Sequence, residues 1–140
     1  MIRVLVADCD PVIRHLLEIV LPLEPDLEIV EVACSAQEVI EKARRLRPDV
    51  VTTCMSIPGG GVEAIRLITG SMLSAKVLVV SARSDGECVR RARDAGASGY
   101  VIKPFGPEIA DAMRAAHRGA PFFRIGQEYG VIKKASRPPL

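Results

Sequence analysis

Several features that would assign a function class at once are missing from this sequence. No apolar run approaches the roughly 20 residues of a membrane span. The start, Met1-Ile2-Arg3-Val4-Leu5-Val6, does not have the three-part layout of a secretory signal. A cytoplasmic protein with no membrane partner is therefore expected. The four cysteines, Cys9, Cys34, Cys54 and Cys88, are widely spaced with no CxxC pair, which argues against a zinc site. An excess of either charge is also absent: 19 basic and 17 acidic residues leave a net +2. That balance argues neither for nor against nucleic acid.

What is present is a regular alternation within 140 residues, a length that suits one domain with one core. Arg3 to Asp8 reads as a buried strand ending in an acid. Asp10 is a good helix N-cap and Pro11 fits the first helical turn. An apolar helical stripe comes next at Val12, Ile13, Leu16, Leu17, Val20 and Leu21. Leu27 to Ala33 reads as a second strand, at a sheet edge because it alternates with polar residues. Ser35 and Glu38 form a capping box for a second helix, which Pro48 stops after Leu46. Asp49 to Cys54 is a β-branched run, read as a strand buried on both faces. Pro58 and Gly59-Gly60-Gly61 make a loop at its C-terminal end. Gly61 to about Leu73 is a third helix and Lys76 to Ser81 a fourth strand. Ser84 or Asp85 caps a helix that ends at Gly96. Ser98 to Ile102 is a fifth strand, and Pro107 opens a helix reaching Arg118.

Five β-α units in a row predict a parallel sheet with helices on both faces and right-handed crossovers. The stretch from Ala120 to Leu140 shows no clear periodicity, although Val131 to Lys134 has the composition of a short strand. The expected division is a domain over 1–118 and a C-terminal extension or linker over 119–140. In an open α/β sheet, chemistry collects at the carboxyl ends of the strands. That places Cys54 at the floor of the candidate site.

These segments resemble the receiver domains of two-component response regulators, the CheY-like superfamily. The resemblance covers about residues 2 to 118. It rests on VLVAD at 4–8 with PVIR at 11–14, RPDVVT at 47–52 with Ile57-Pro58-Gly59, VLVVSA at 77–82, and above all DAGASGYVIKPF at 94–105. The fold it implies is a flavodoxin-like, doubly wound five-stranded sheet of order 2-1-3-4-5. The activity it implies is transfer of a phosphoryl group from a histidine kinase to an aspartate ending strand three. Two acids after strand one help hold Mg²⁺, and a hydroxyl residue and a lysine bind the phosphoryl oxygens.

By this resemblance Asp8 matches the first acid and Ser81 the hydroxyl residue. Lys103 matches the lysine, Pro104 the proline after it, commonly in a cis bond, and Tyr100 the aromatic switch. Two positions depart. Cys9 stands where the second acid belongs and Cys54 where the phosphoacceptor aspartate belongs. The loop after Pro58 is a residue short and lacks an acid. Mg²⁺ takes hard oxygen ligands, so a thiol is a poor substitute. Asp10 has a better use as a helix cap. No tightly held metal and no other cofactor are therefore expected, and the chain reads as a pseudo-receiver rather than an enzyme.

With fewer acids in the pocket, a direct Lys103–Asp8 ion pair is expected. A Cys9–Cys54 disulfide would make a redox switch, but small pocket-filling thiols are favoured because cytosolic disulfides are rare. Cys34 and Cys88 read as packing residues, and His15 as a surface residue. His117 lies in the last turn of its helix, where a cation suits the macrodipole. Arg83, Arg90, Arg91 and Arg93 read as a solvated basic face, and a nucleic-acid role is disfavoured for this chain alone.

The leading expectation is phosphorylation-independent contact with proteins: a histidine kinase, another signalling protein or an output domain, or a second copy through the fourth and fifth helices. A thiol sensor using Cys54 and Cys9 is the alternative, and a phosphoacceptor of unorthodox chemistry comes after it. A flavodoxin-like cofactor binder ranks last. Asp8-Cys9-Asp10-Pro11 has no glycine to cradle a phosphate, and its two acids would repel one.

Overall fold

The structure is a computed structural model. It describes residues 1–8, 10–71, 74–125 and 128–131, with side chains as far as residue 123. The parallel strands are β1 (Ile2–Ala7), β2 (Leu27–Ala33), β3 (Val50–Thr53), β4 (Lys76–Ser81) and β5 (Gly99–Ile102). The helices between and after them are α1 (Pro11–Val20), α2 (Ala36–Leu46), α3 (Gly61–Gly70), α4 (Gly86–Ala95) and α5 (Glu108–Arg118). A 3-10 turn at Leu21–Leu23 extends α1. Beyond α5 lie two more strands, β6 (Phe122–Ile125) and β7 (Glu128–Val131). Among the described residues the sheet order is β2-β1-β3-β4-β5-β6-β7.

The five-strand order expected from the resemblance is present, and β2 lies at the edge. The sheet then goes further than expected. β6 pairs parallel to β5, Gly99 with Phe122 and Tyr100 with Phe123, and β7 turns back antiparallel. Gly99 permits this approach: a Cβ there would lie 2.6 Å from the Phe122 carbonyl oxygen. The stretch from Ala120 carries no periodicity because a four-residue strand with so short a pairing leaves little pattern. The strand expected over Val131 to Lys134 falls, beyond Val131, outside the described residues. Cys9 also lies outside them.

Alternation along each strand divides the core between the two faces. Leu5, Val51, Val77, Val79 and Tyr100 pack with Val39, Ile40, Ile65, Ile68 and Val89 of α2, α3 and α4. Val4, Val6, Val50, Leu78, Val80 and Val101 pack with Leu17 and Leu21, and with Ile109 and Met113 of α5. The apolar stripe expected on α1 is split. Leu17 and Leu21 are buried, whereas Val12 and Leu16 face outward.

The caps agree with the sequence. Asp10 accepts from the Val12 N–H at 2.9 Å. Ser35 accepts from the Glu38 N–H at 3.1 Å, and Glu38 reaches back to the Cys34 N–H at 2.9 Å. Of the two caps offered for α4, Asp85 fills the role and accepts from the Cys88 N–H. No helix among the described residues is long and apolar enough to cross a membrane.

Candidate functional site at the carboxyl end of the sheet

Register brings the site together. β1 and β3 run level, Ala7 opposite Thr53, so the next residues, Asp8 and Cys54, leave the sheet side by side. β4 and β5 run level at Ser81 and Ile102, and the Lys103 N–H donates to the Ser81 carbonyl at 2.9 Å. Four strand ends thus deliver Asp8, Cys54, Ser81 and Lys103 to one end of the sheet.

Asp8 is only 2% exposed. Its Oδ2 accepts from Lys103 Nζ at 2.8 Å and its Oδ1 from the Asp10 N–H at 2.9 Å. A buried carboxylate without partners would be costly, and these two contacts satisfy both of its oxygens. The expected Lys103–Asp8 pair is therefore present, between residues 95 positions apart in sequence. The Lys103–Pro104 bond is cis. Asp10 is turned to solvent, with its carboxylate spent on the α1 cap.

Cys54 is buried at 3% exposure. The loop after it is tied down from several sides. The Pro58 carbonyl accepts from the Ala36 N–H of α2 at 2.9 Å, and the Gly60 N–H donates to the Ile57 carbonyl at 2.7 Å. Gly60 takes φ +94°, a conformation that favours glycine. Gly61 opens α3 directly against the end of β3, where a Cβ would lie 2.5 Å from the Cys54 carbonyl oxygen. The glycines left by the shortened loop therefore let α3 close on this strand end.

Ser81 Oγ accepts from the Met55 N–H at 3.4 Å and from the Arg83 N–H at 3.2 Å. It spans the loops after β3 and β4. Tyr100 is fully buried, and its hydroxyl donates to the Arg83 carbonyl at 2.6 Å. Burial pushes its pKa up to about 12. A backbone carbonyl gives no signal in sequence, so sequence reasoning misses this role of Arg83. Asp8, Lys103, Ser81, Arg83 and Tyr100 form one connected path from the pocket to the loop that starts α4.

Comparison with known proteins decides the family. The profile described as response regulator receiver domain matches residues 4–114. The chain belongs to the response regulator receiver domain family.

Among curated relatives, this receiver domain is 35% identical over 121 residues to the transcriptional regulatory protein LnrK of Bacillus subtilis, which spans 85% of this chain and 55% of the relative. It is also 35% identical to LiaR of the same organism, over 86% of this chain and 58% of the relative. The chain spans about half the length of these relatives. Among solved structures it resembles the receiver domain of the response regulator NarL from Mycobacterium tuberculosis, with TM-score 0.81 at 27% identity, covering 84% of this chain and 97% of that one. The response regulator domain of Thermotoga maritima CheB aligns with TM-score 0.78 at 30% identity, again over 84% and 97%.

The remaining candidate residues do not join the site. Cys88 is buried, and burial raises its pKa, with Asp85 adding to the shift. Cys34 is half-buried and accepts a hydrogen bond from Arg14 at 3.4 Å. His117 lies 4.0 Å from Asp49, away from the pocket. On α4, Arg90 pairs with Glu87 and Arg93 with Asp94.

Proposed function

We propose that this receiver domain signals by protein contact without accepting a phosphoryl group. The observation that carries the reading is the closed Asp8–Lys103 pair in a pocket whose strand-three position is Cys54. Mg²⁺ demands near-octahedral oxygen ligands. Asp8 has one oxygen on a lysine ammonium and the other on a backbone N–H, and Asp10 is committed to the helix cap. The donor set therefore does not fit the ion. The buried thiol of Cys54 would also lack the alignment that phosphoryl transfer relies on.

In this reading Lys103 and Asp8 hold the pocket in one arrangement, and Ser81 and Tyr100 pass it to the α4 end of the domain. The chain acts as a pseudo-receiver in the cytoplasm, has no catalytic activity of its own, and presents its surface to a kinase, another signalling protein or an output domain. Burial of Cys54 disfavours the thiol-sensor alternative, because an oxidant must reach the sulfur.

The test is intact mass after incubation with acetyl phosphate and Mg²⁺, with a parallel sample unfolded in denaturant and alkylated without reductant, so that the buried thiols of Cys54 and Cys88 are reached. No added mass and four alkylated thiols are expected. A stable added phosphoryl mass would return the protein to the phosphoacceptor class. Two alkylated thiols would favour the redox reading. The paired substitutions Cys9→Asp and Cys54→Asp are expected to restore Mg²⁺ binding at least in part, read by titration calorimetry.

A further inference from the structure

Two of the chain's three phenylalanines, Phe122 and Phe123, stand side by side in β6. Neighbouring residues of a strand point to opposite faces of its sheet. Phe123 is buried and joins the cluster of Tyr100 with Val89 and Ala92 of α4. Phe122 is half-buried and packs on the other cluster, which holds Ile109 and Met113 of α5. β6 thus grips the outer edge of β5 from both faces and fills the gap between α4 and α5.

The grip is short. Among the described residues β6 meets β5 at Gly99–Phe122 and Tyr100–Phe123, whereas β4 runs level with β5 from Leu78–Gly99 to Ser81–Ile102. The end of α5 is also complete without β6. The Gly119 N–H donates to the Ala116 carbonyl at 3.0 Å and the Ala120 N–H to the Ala115 carbonyl at 2.9 Å. Pro121 comes next and has no N–H to satisfy. The helix end therefore keeps its partners whether β6 is seated or lifted, and Gly119–Pro121 serves as the hinge. Segments with little pairing open at a smaller free energy than the centre of a sheet. The residue level with Phe123 is Tyr100, whose hydroxyl is held by the Arg83 carbonyl, while the Arg83 N–H donates to Ser81 Oγ. β6 therefore rests on a ring that leads back to the pocket.

We propose that residues 120–125 form a strap over the outer edge of β5, which lifts about Gly119–Pro121 while the rest of the domain stays folded, and which Tyr100 holds in place. Seated, the strap denies the surface between α4 and α5 to other proteins. Lifted, it bares the unpaired backbone groups of β5 and the seats of two aromatic rings. The contact through the fourth and fifth helices expected from the sequence is then open only in the lifted state. The strap needs no phosphoryl group, so it stands whether or not the pocket accepts one.

Hydrogen exchange of the full chain, read by fragment mass, tests this. In the native chain the strap is expected to exchange roughly tenfold or more faster than β3, and roughly tenfold or more slower than an unstructured peptide. Gly99→Ala would put a Cβ 2.6 Å from the Phe122 carbonyl oxygen, where backbone must yield. It is expected to abolish the protection of the strap and to speed exchange in β5, while β3 keeps its own. Phe123→Ser removes the buried ring instead and is expected to do the same, so the test survives if one variant fails to fold. Tyr100→Phe is expected to speed the strap about threefold, and Ile68→Val on α3, a similar loss of core packing, to leave it unchanged, because local opening does not depend on global stability. A native strap that exchanges as slowly as β3, or as fast as an unstructured peptide, overturns the proposal. So does strap protection that survives both lifting variants, or loss of β3 protection in both. An equal response to Tyr100→Phe and Ile68→Val overturns the role of Tyr100.

Discussion

Two ion-pair sites flank α5, one at each end of the sheet. Before the helix, Lys103 meets a single carboxylate, Asp8, and the two side chains are 15% and 3% exposed. Near its other end Arg114 meets three acids, Glu24, Asp26 and Asp111, all of them open to water. The Arg114 cluster has more contacts, including two hydrogen bonds of 2.8 and 2.9 Å from its Nε and a terminal nitrogen to Asp26. The buried pair nevertheless matters more to the fold. Water already solvates the Arg114 partners, so each contact replaces one that solvent would supply. Asp8 has little access to water, so losing its lysine leaves a charge with almost nowhere to go. Contact count is therefore a poor guide to which site holds the domain.

The strongest way to break this contrast is Lys103→Met. It leaves Asp8 buried beside an apolar chain and is expected to cost about 3 kcal/mol in urea unfolding. A loss as small as that of a surface substitution would mean that water reaches the pocket. Tyr100→Phe comes next. It removes the phenol on the path from the pocket to α4 and leaves the Arg83 carbonyl short of a donor. About 1 kcal/mol is expected. The same phenol gives a sign in pH. Its folded pKa of about 12 lies above the ordinary 10, so the folded state keeps a proton that the unfolded chain releases. The stabilisation is whole below pH 10 and is lost as pH rises through about 12. An unfolding series in the Tyr100→Phe background should lack that component.

A smaller effect sharpens the contrast from the other side. Replacing both members of the pair, Asp8→Val with Lys103→Met, removes the uncompensated charge and should recover most of the stability lost by Lys103→Met alone. A double variant no better than the single one would show that the pair itself, rather than the stranded acid, carries the energy. The smallest effect is expected for Arg114→Ala, close to the resolving limit of a denaturant titration. Its signature is in pH. The Arg114 guanidinium holds Asp26 at about 2, below the ordinary 3.8, so this contribution is present above pH 3.8 and fades as pH falls through about 2. The variant's acid unfolding curve should lose that component and keep the rest.

The site is legible in sequence where one position suffices to define it. Asp8, Ser81 and Lys103 each end a strand or come directly after one, and the strands are marked by their own β-branched runs. Asp10 is marked as a cap by the proline after it, and Ser35 by the glutamate three positions on. Arg83 is not legible, because its contribution is a main-chain carbonyl that every residue possesses. β6 is not legible either, since its place depends on Gly99 leaving room for the Phe122 carbonyl rather than on any pattern in 122–125. On α1, apolar periodicity locates the helix but overstates how much of it is buried. Val12 and Leu16 continue the stripe in sequence and turn away from the sheet in space.

The sequence by itself determined the five β-α units, their order along the chain, and the chemistry available at each strand end, including the thiol at position 54. These arise from local periodicity, capping and turn residues, which act over a few positions. Only the tertiary structure decided which strand ends stand level, and so that Lys103 reaches Asp8 from 95 residues away. It also decided which side of α1 remains uncovered and that the sheet continues past β5. Each of these depends on strand register and on the close approach of distant segments. A shift of one residue in register would turn every side chain to the other face while leaving the local pattern unchanged.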